Sequence, residues 1–98
     1  MYNIQYHSLV LKEDVKNIPK EHIKRIVKAI NKKLKNDPEG FGKPLLHELK
    51  GYFRLRIGFY RVIYRIEKEK VIVFIINIAL RRNLEAYIKA AKRLGLQK

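Results

Sequence analysis

The sequence predicts an α+β domain in which two N-terminal helices pack on a twisted, largely antiparallel sheet of about four strands and a short C-terminal helix closes the chain. Three features lead there. Apolar residues between Ile23 and Leu34 recur with helical spacing, the period shifts to two from Tyr52 onward, and Val71 to Ile78 is nearly all apolar and rich in β-branched residues. A chain of 98 residues leaves no room for a second independent core, so residues 1–98 are read as one domain. With 47% hydrophobic residues it can bury that core without disulfide staples.

Tyr2, Ile4 and Tyr6 alternate with polar neighbours, which predicts a short, half-buried opening strand. Ser8 is placed to cap a helix from about Leu9 to Asn17, with Leu11, Val15 and Ile18 as its apolar stripe. Pro19 ends or restarts that helix, because proline fits a first turn but not an interior. The second helix runs from about Lys20 to Asn36. Ile23, Ile26, Val27, Ile30 and Leu34 form its buried stripe, while Lys24, Arg25, Lys28, Lys32 and Lys35 face out. Asp37, Pro38, Gly40, Gly42 and Pro44 make a breaker-rich loop, and Leu45 to Leu49 leads into the strands. Phe53, Leu55 and Ile57 alternate with Arg54 and Arg56, Gly58 and Phe59 form a tight turn, and Tyr60 to Ile66 returns as the next strand. Glu67 to Lys70 closes a second hairpin, and Val71 to Ile78 follows as a central strand. The last helix is expected from about Asn83 to Leu94, with Leu84, Tyr87, Ala91 and Leu94 on one side.

Charge narrows the function more than the fold does. The chain carries 23 Lys and Arg against 9 Asp and Glu, a net charge of +14, and self-repulsion of that size on a small surface points to a polyanionic partner. Nucleic acid leads, ahead of plain solubility and of an anionic membrane surface. Of the eight arginines, six lie between Arg54 and Arg82, whereas lysine dominates the helical segments. Guanidinium binds phosphate bidentately and stacks on bases, so the cluster suggests contact rather than solvation. Cysteine is absent, which suits a reducing compartment, and the cytoplasm is the expected location. No signal peptide is expected, because MYNIQYHSLV has no basic region ahead of an apolar one. Nor is a membrane span expected, because Asn77 breaks the longest apolar run.

Residues 51–66 hold four arginines, the five aromatics Tyr52, Phe53, Phe59, Tyr60 and Tyr64, and no acidic residue. Strand alternation puts Arg54 and Arg56 on one face and groups Arg61 with Arg65 on one face of the return strand. If the two faces coincide, the hairpin can hold several phosphates; otherwise it is an ordinary solvated strand face. The basic face of the second helix, with Lys28 and Lys32, is likewise open to RNA contact or to simple solvation. Glu85 fits an i, i+4 pair with Lys89 as well as it fits acid/base work, and Tyr87 fits a place in the core of the last helix as well as one in a site. His7, His22 and His47 are scattered without metal-ligand spacing, and the sequence contains neither a phosphate-binding glycine loop nor a nucleophile elbow.

Taken together, Leu49-Lys50-Gly51, Arg54-Leu55-Arg56, Gly58-Phe59-Tyr60-Arg61, the apolar strand Val71 to Ile78, and Arg81 followed by Tyr87 give the chain a pattern that resembles the RelE/ParE toxin superfamily over almost its whole length. The resemblance implies a RelE-type toxin that cuts mRNA in the ribosomal A site without metal or cofactor, by driving the ribose 2′-hydroxyl onto the adjacent phosphorus. It implies that Arg54 and Arg56 belong to the basic strand of the site. It also implies that Arg61 stabilises the transition state, that Arg81 assists the leaving oxygen and that Tyr87 stacks on or orients a base. Lys28, Lys32, Lys50, Arg65 and Arg82 would bind RNA or the ribosome. The implied partners are an acidic RelB-like antitoxin, the ribosome and mRNA, with a toxin–antitoxin heterotetramer as the expected assembly. The chain departs from the family at one point: where the best-known members carry Lys-x-Lys-x-Arg, it has Tyr52, Arg54 and Arg56. Arginine stays protonated and is a poor general base, so either electrostatics and geometry dominate or Tyr52, Tyr87 or the ribosome accepts the proton. A ParE-type inhibitor of DNA gyrase and a catalytically silent RNA-binding module are the alternatives.

Overall fold

A computed structural model describes residues 1–82 and 84–96. Its centre is one five-stranded sheet in the order β1-β5-β4-β3-β2, formed by β1 (Asn3–Tyr6), β2 (Lys43–Pro44), β3 (Tyr52–Ile57), β4 (Tyr60–Glu67) and β5 (Ile72–Leu80). The β2–β3, β3–β4 and β4–β5 pairs are antiparallel, and β1 joins the far edge of β5 in parallel. The fifth strand is the departure from the expected sheet. The two-residue β2 pairs Lys43 with Arg54 and Pro44 with Phe53 inside the segment read as a loop, and a strand of that length has no alternation to read. Helices α1 (Lys20–Ala29), α2 (Pro38–Phe41) and α3 (Glu85–Arg93) complete the framework. The expected start of the last helix at Asn83 lies outside the described residues.

The N-terminal helices cover one sheet face. Ile26, Ile30 and Leu34, from α1 and the wider turn Ile30–Leu34 that continues it, meet Leu55, Ile57, Val62, Tyr64, Val73 and Ile75 in a dry core. Each such side chain, fully buried, contributes about 1.5–3 kcal/mol. The first helical segment differs from a regular helix: a wide turn over Val10–Asp14 is followed by a tight one over Val15–Asn17. The change of pitch rotates the buried side, so Val10 and Asp14 point inward and Leu11, expected in the stripe, is exposed. At its start the His7 Nδ1 accepts from the Leu9 N–H at 3.1 Å, the task expected of Ser8. Val71 also shifts role: it sits in a turn at φ +56, and β5 begins one residue later.

The other face is covered by α3, through Tyr87, Ala91 and Leu94 of the expected stripe together with two alanines outside it. Leu84 is exposed, and Ala86, Ala90 and Ala91 carry the contact with Leu49, Ile63, Ile76 and Ala79. Small side chains let the helix lie close to the sheet. A buried ion pair fixes its end: Arg93 Nη1 and Nη2 donate to Asp14 Oδ2 at 2.8 Å and Oδ1 at 2.9 Å, with side-chain exposures of 4% and 0%. Beyond Tyr6 the parallel pairing of β1 with β5 stops. There Arg93 Nη1 donates to the Ile76 carbonyl at 2.9 Å, and Asp14 Oδ2 accepts from the Ile78 N–H at 2.9 Å. The pair thus satisfies β5 backbone groups that a longer β1 would otherwise meet.

Candidate nucleic-acid interface

The register of the β3–β4 hairpin decides whether the arginine faces coincide. Its two-residue turn, with Gly58 at φ +57, pairs Ile57 with Tyr60, Arg56 with Arg61, Arg54 with Ile63 and Tyr52 with Arg65. The faces do coincide. Tyr52, Arg54, Arg56, Arg61 and Arg65 share the side of the sheet that carries α3. Arg56 and Arg61 stand directly opposite each other, an arrangement of like charges that costs stability unless an anion lies between or above them.

The other two candidates reach the same place from later in the chain. The Arg61 guanidinium lies over the Tyr87 ring, 4.8 Å from its centroid, so α3 brings Tyr87 to the hairpin. Arg81 follows β5 and is tied to the turn twice: its N–H donates to the Phe59 carbonyl at 2.7 Å and its Nη1 to the Gly58 carbonyl at 3.0 Å. Arg54 responds to all of them. Burial holds its guanidinium below the ordinary arginine value; Tyr87 opposes that shift, while the positive charges of Arg56, Arg61 and Arg81 add to it. Arg54, Arg56, Arg61, Arg81 and Tyr87 therefore form one cluster in which the local field is set by guanidinium groups.

The remaining basic candidates are distributed differently. Arg65 occupies the far end of the face, stacked 4.5 Å from the Phe74 centroid and 3.4 Å from Glu67, so its charge is partly met. Arg82 pairs with Glu85 at 3.1 Å, so Glu85 meets Arg82 rather than Lys89, its i, i+4 alternative. Lys50 is exposed just before β3, after the turn His47–Leu49. Lys28 and Lys32 are exposed on α1 and its continuation, in the layer on the opposite side of the sheet, and do not join the arginine cluster. His22 Nδ1 lies 2.9 Å from the Tyr60 hydroxyl in a contact that fastens α1 to the hairpin. Among the described residues no group of three His, Cys, Asp or Glu is placed to hold a metal ion, and no helix is long and apolar enough to cross a membrane. Sequence reasoning missed that Asp14 and Arg93 seat the helix bearing Tyr87. Spacing holds no trace of a pair so far apart in the chain.

Such a cluster binds and stabilises oxyanions through preorganised donors, and Tyr87 adds an aromatic surface. Tyr87 also lines an apolar cleft of about 350 Å³ with Leu45, Leu49, Leu84 and Ile88.

Residues 6–85 match the family described as ParE toxin of type II toxin-antitoxin system, parDE. The toxin RelG of Mycobacterium tuberculosis is 30% identical over 83 residues, which cover 85% of this chain and 94% of that one. The mRNA interferase toxin RelE of Escherichia coli is 42% identical over 41 residues, 42% of this chain and 43% of its own. Among solved structures, the toxin–antitoxin complex RelBE2 from Mycobacterium tuberculosis contains a chain that superposes with a TM-score of 0.76 at 31% identity, covering 82% of this chain and 98% of that one. A family match over most of the length, a relative aligned nearly end to end and a shared fold carry one conclusion: the chain belongs to the RelE/ParE superfamily of type II toxin–antitoxin systems, as a RelE-type toxin.

Proposed function

We propose that the protein is a ribosome-dependent endoribonuclease that cuts mRNA in the A site and is held inactive by a RelB-like antitoxin. The observation that carries this reading is the gathering of Arg56, Arg61, Arg81 and Tyr87 around Arg54, with the Arg61 guanidinium over the Tyr87 ring. The name of the Escherichia coli relative, an mRNA interferase, supports it. In the reaction the ribose 2′-oxygen loses its proton and bonds to the adjacent phosphorus, the bond from phosphorus to the 5′-oxygen breaks, and that oxygen takes up a proton. Negative charge peaks on the phosphorane. Arg61, beside Arg56 at the rim of the face, stabilises that charge, and Arg54 adds to the positive field. Arg81 serves the leaving oxygen from a position fixed by the turn carbonyls, with only part of its donor set used. Tyr87 orients a base.

Arginine does not accept the proton, so that task falls to Tyr52, Tyr87 or a ribosomal group. Lys28, Lys32, Lys50, Arg65 and Arg82 serve association with RNA rather than chemistry. The protein acts in the cytoplasm, where ribosomes are. The antitoxin is acidic and covers the arginine face, and the two chains assemble as a heterotetramer.

An mRNA cleavage assay with and without ribosomes tests the reading. Cleavage confined to ribosome-bound mRNA, and surviving EDTA at levels that leave ribosomes intact, is the expected outcome. Absence of cleavage together with inhibition of DNA gyrase would move the protein to the ParE-type alternative.

A further inference from the structure

Phe59 stands at the tip of the β3–β4 hairpin with 72% of its surface exposed. So exposed a ring gives the fold only a small part of the roughly 1.5–3 kcal/mol that full burial would contribute. Yet its backbone is held firmly. The turn is closed by the Ile57–Tyr60 pair, and the Phe59 carbonyl accepts from the Arg81 N–H at 2.7 Å while the neighbouring Gly58 carbonyl accepts from Arg81 Nη1 at 3.0 Å.

The surroundings of the tip are basic. Arg56 and Arg61 face each other one cross-strand pair below the turn, Arg81 is bonded to it, and on the α1 side Arg25 and His22 line a narrow crevice together with Phe59. An exposed aromatic side chain on a turn whose backbone is fixed, with guanidinium groups close to that turn, matches what single-stranded nucleic acid requires: cations for the backbone and a flat apolar surface for a base. A protein partner would need both apolar and acidic groups to fit the same tip.

We propose that Phe59 is a stacking platform for an unpaired RNA base, placed by Arg81 beside the arginine cluster and outside the reacting set. This rests on the reading of the protein as an RNA-cutting toxin and adds to it a contact residue of its own. The base belongs either to the mRNA or to ribosomal RNA, and stacking would be tolerant of its identity, since every base presents a π-face.

The test measures binding of the full chain to ribosomes carrying an A-site codon 2′-O-methylated to prevent cleavage, and to ribosomes with a vacant A site. Phe59→Ala and Phe59→Leu should both weaken binding by roughly 5- to 150-fold, the range for losing one aromatic platform, while Phe59→Trp binds like the wild type and its fluorescence is quenched on binding. Because the ring is exposed, the melting temperature should hardly change. Weakening on both kinds of ribosome assigns the base to ribosomal RNA, and weakening on programmed ribosomes alone assigns it to mRNA. Affinity of Phe59→Ala within twofold of wild type on both overturns the proposal. So does Phe59→Leu binding as tightly as wild type, which would mark an apolar protein contact. If the wild-type chain neither binds ribosomes nor cuts mRNA, the functional reading has failed and this inference with it; if the wild type cuts and Phe59→Ala binds undiminished, only the inference has failed.

Discussion

The two faces of the sheet are built on opposite terms. On the side of α1, branched aliphatic side chains interlock around Tyr64, the largest of the fully buried side chains, whose hydroxyl donates to the Pro38 carbonyl at 2.6 Å. On the side of α3, a thin layer of alanines gives way to half-buried and exposed arginines, two of them set directly opposite each other. One face contributes stability that the other gives up in part. The contrast shows why a small toxin can carry a self-repelling site: the cost is borne by a core that shares the same strands but none of the same side chains.

The largest expected effect would break the boundary between these faces. Asp14→Ala leaves the buried Arg93 with only the exposed Glu13 carboxylate, 3.4 Å away, and the Ile78 N–H without its acceptor, and should cost about 3–5 kcal/mol in a denaturant titration. A loss below about 1 kcal/mol would mean that the ion pair does not hold α3 on the sheet. Next come Arg61→Ala and Arg81→Ala. Each should lower the single-turnover cleavage rate by roughly 10² to 10³-fold, the scale for one preorganised charge stabiliser, with ribosome affinity changed little. Unaltered rates in both variants would remove the assigned chemistry from the arginine face.

Lys28→Ala and Lys32→Ala act on the opposite layer and should behave otherwise, weakening ribosome association and lowering the slope of its salt dependence by about one for each phosphate no longer neutralised. A fall in the rate at saturation for these lysine variants would contradict the division of labour. The smallest effect has the opposite sign. Arg56→Thr relieves the cross-strand repulsion with Arg61 and should stabilise the fold by about 0.2–1 kcal/mol while impairing cleavage. A less stable and fully active variant would show that Arg56 serves the sheet rather than the site.

Much of this contrast was legible in the sequence. Alternation from Phe53 to Ile57 separated apolar from basic positions, and Gly58 marked the turn whose length fixes the register of Arg56 against Arg61. The stripe from Ile23 to Leu34 located the helix that fills the dry face. What stayed hidden depends on contacts without local periodicity. The pitch changes after Val10 turned Leu11 outward, and nothing in the spacing of Leu11, Val15 and Ile18 signals a wide turn. The strand β2 is too short to show a pattern. Arg93 reads as one more basic residue at a helix C-terminus, where cations are common anyway, and Asp14 as one more acid on a surface helix. The line from sequence to site ran through residues neighbouring in the chain and stopped at those joined only by the fold.

Asp14 and Arg93 are 79 residues apart in the chain. Closing so long a loop is entropically costly, and contacts of that separation form after the local ones. The hairpin of β3 and β4 needs only a two-residue turn, and β5 joins it through another short one. The order that loop closure favours is then the β3–β4–β5 meander first, with the clamp and the β1–β5 pairing, whose partners Asn3 and Ile72 are almost as distant in the chain, coming last. Interactions absent from the transition state slow unfolding without speeding folding, so the ion pair sets how long the finished site persists rather than how fast it appears.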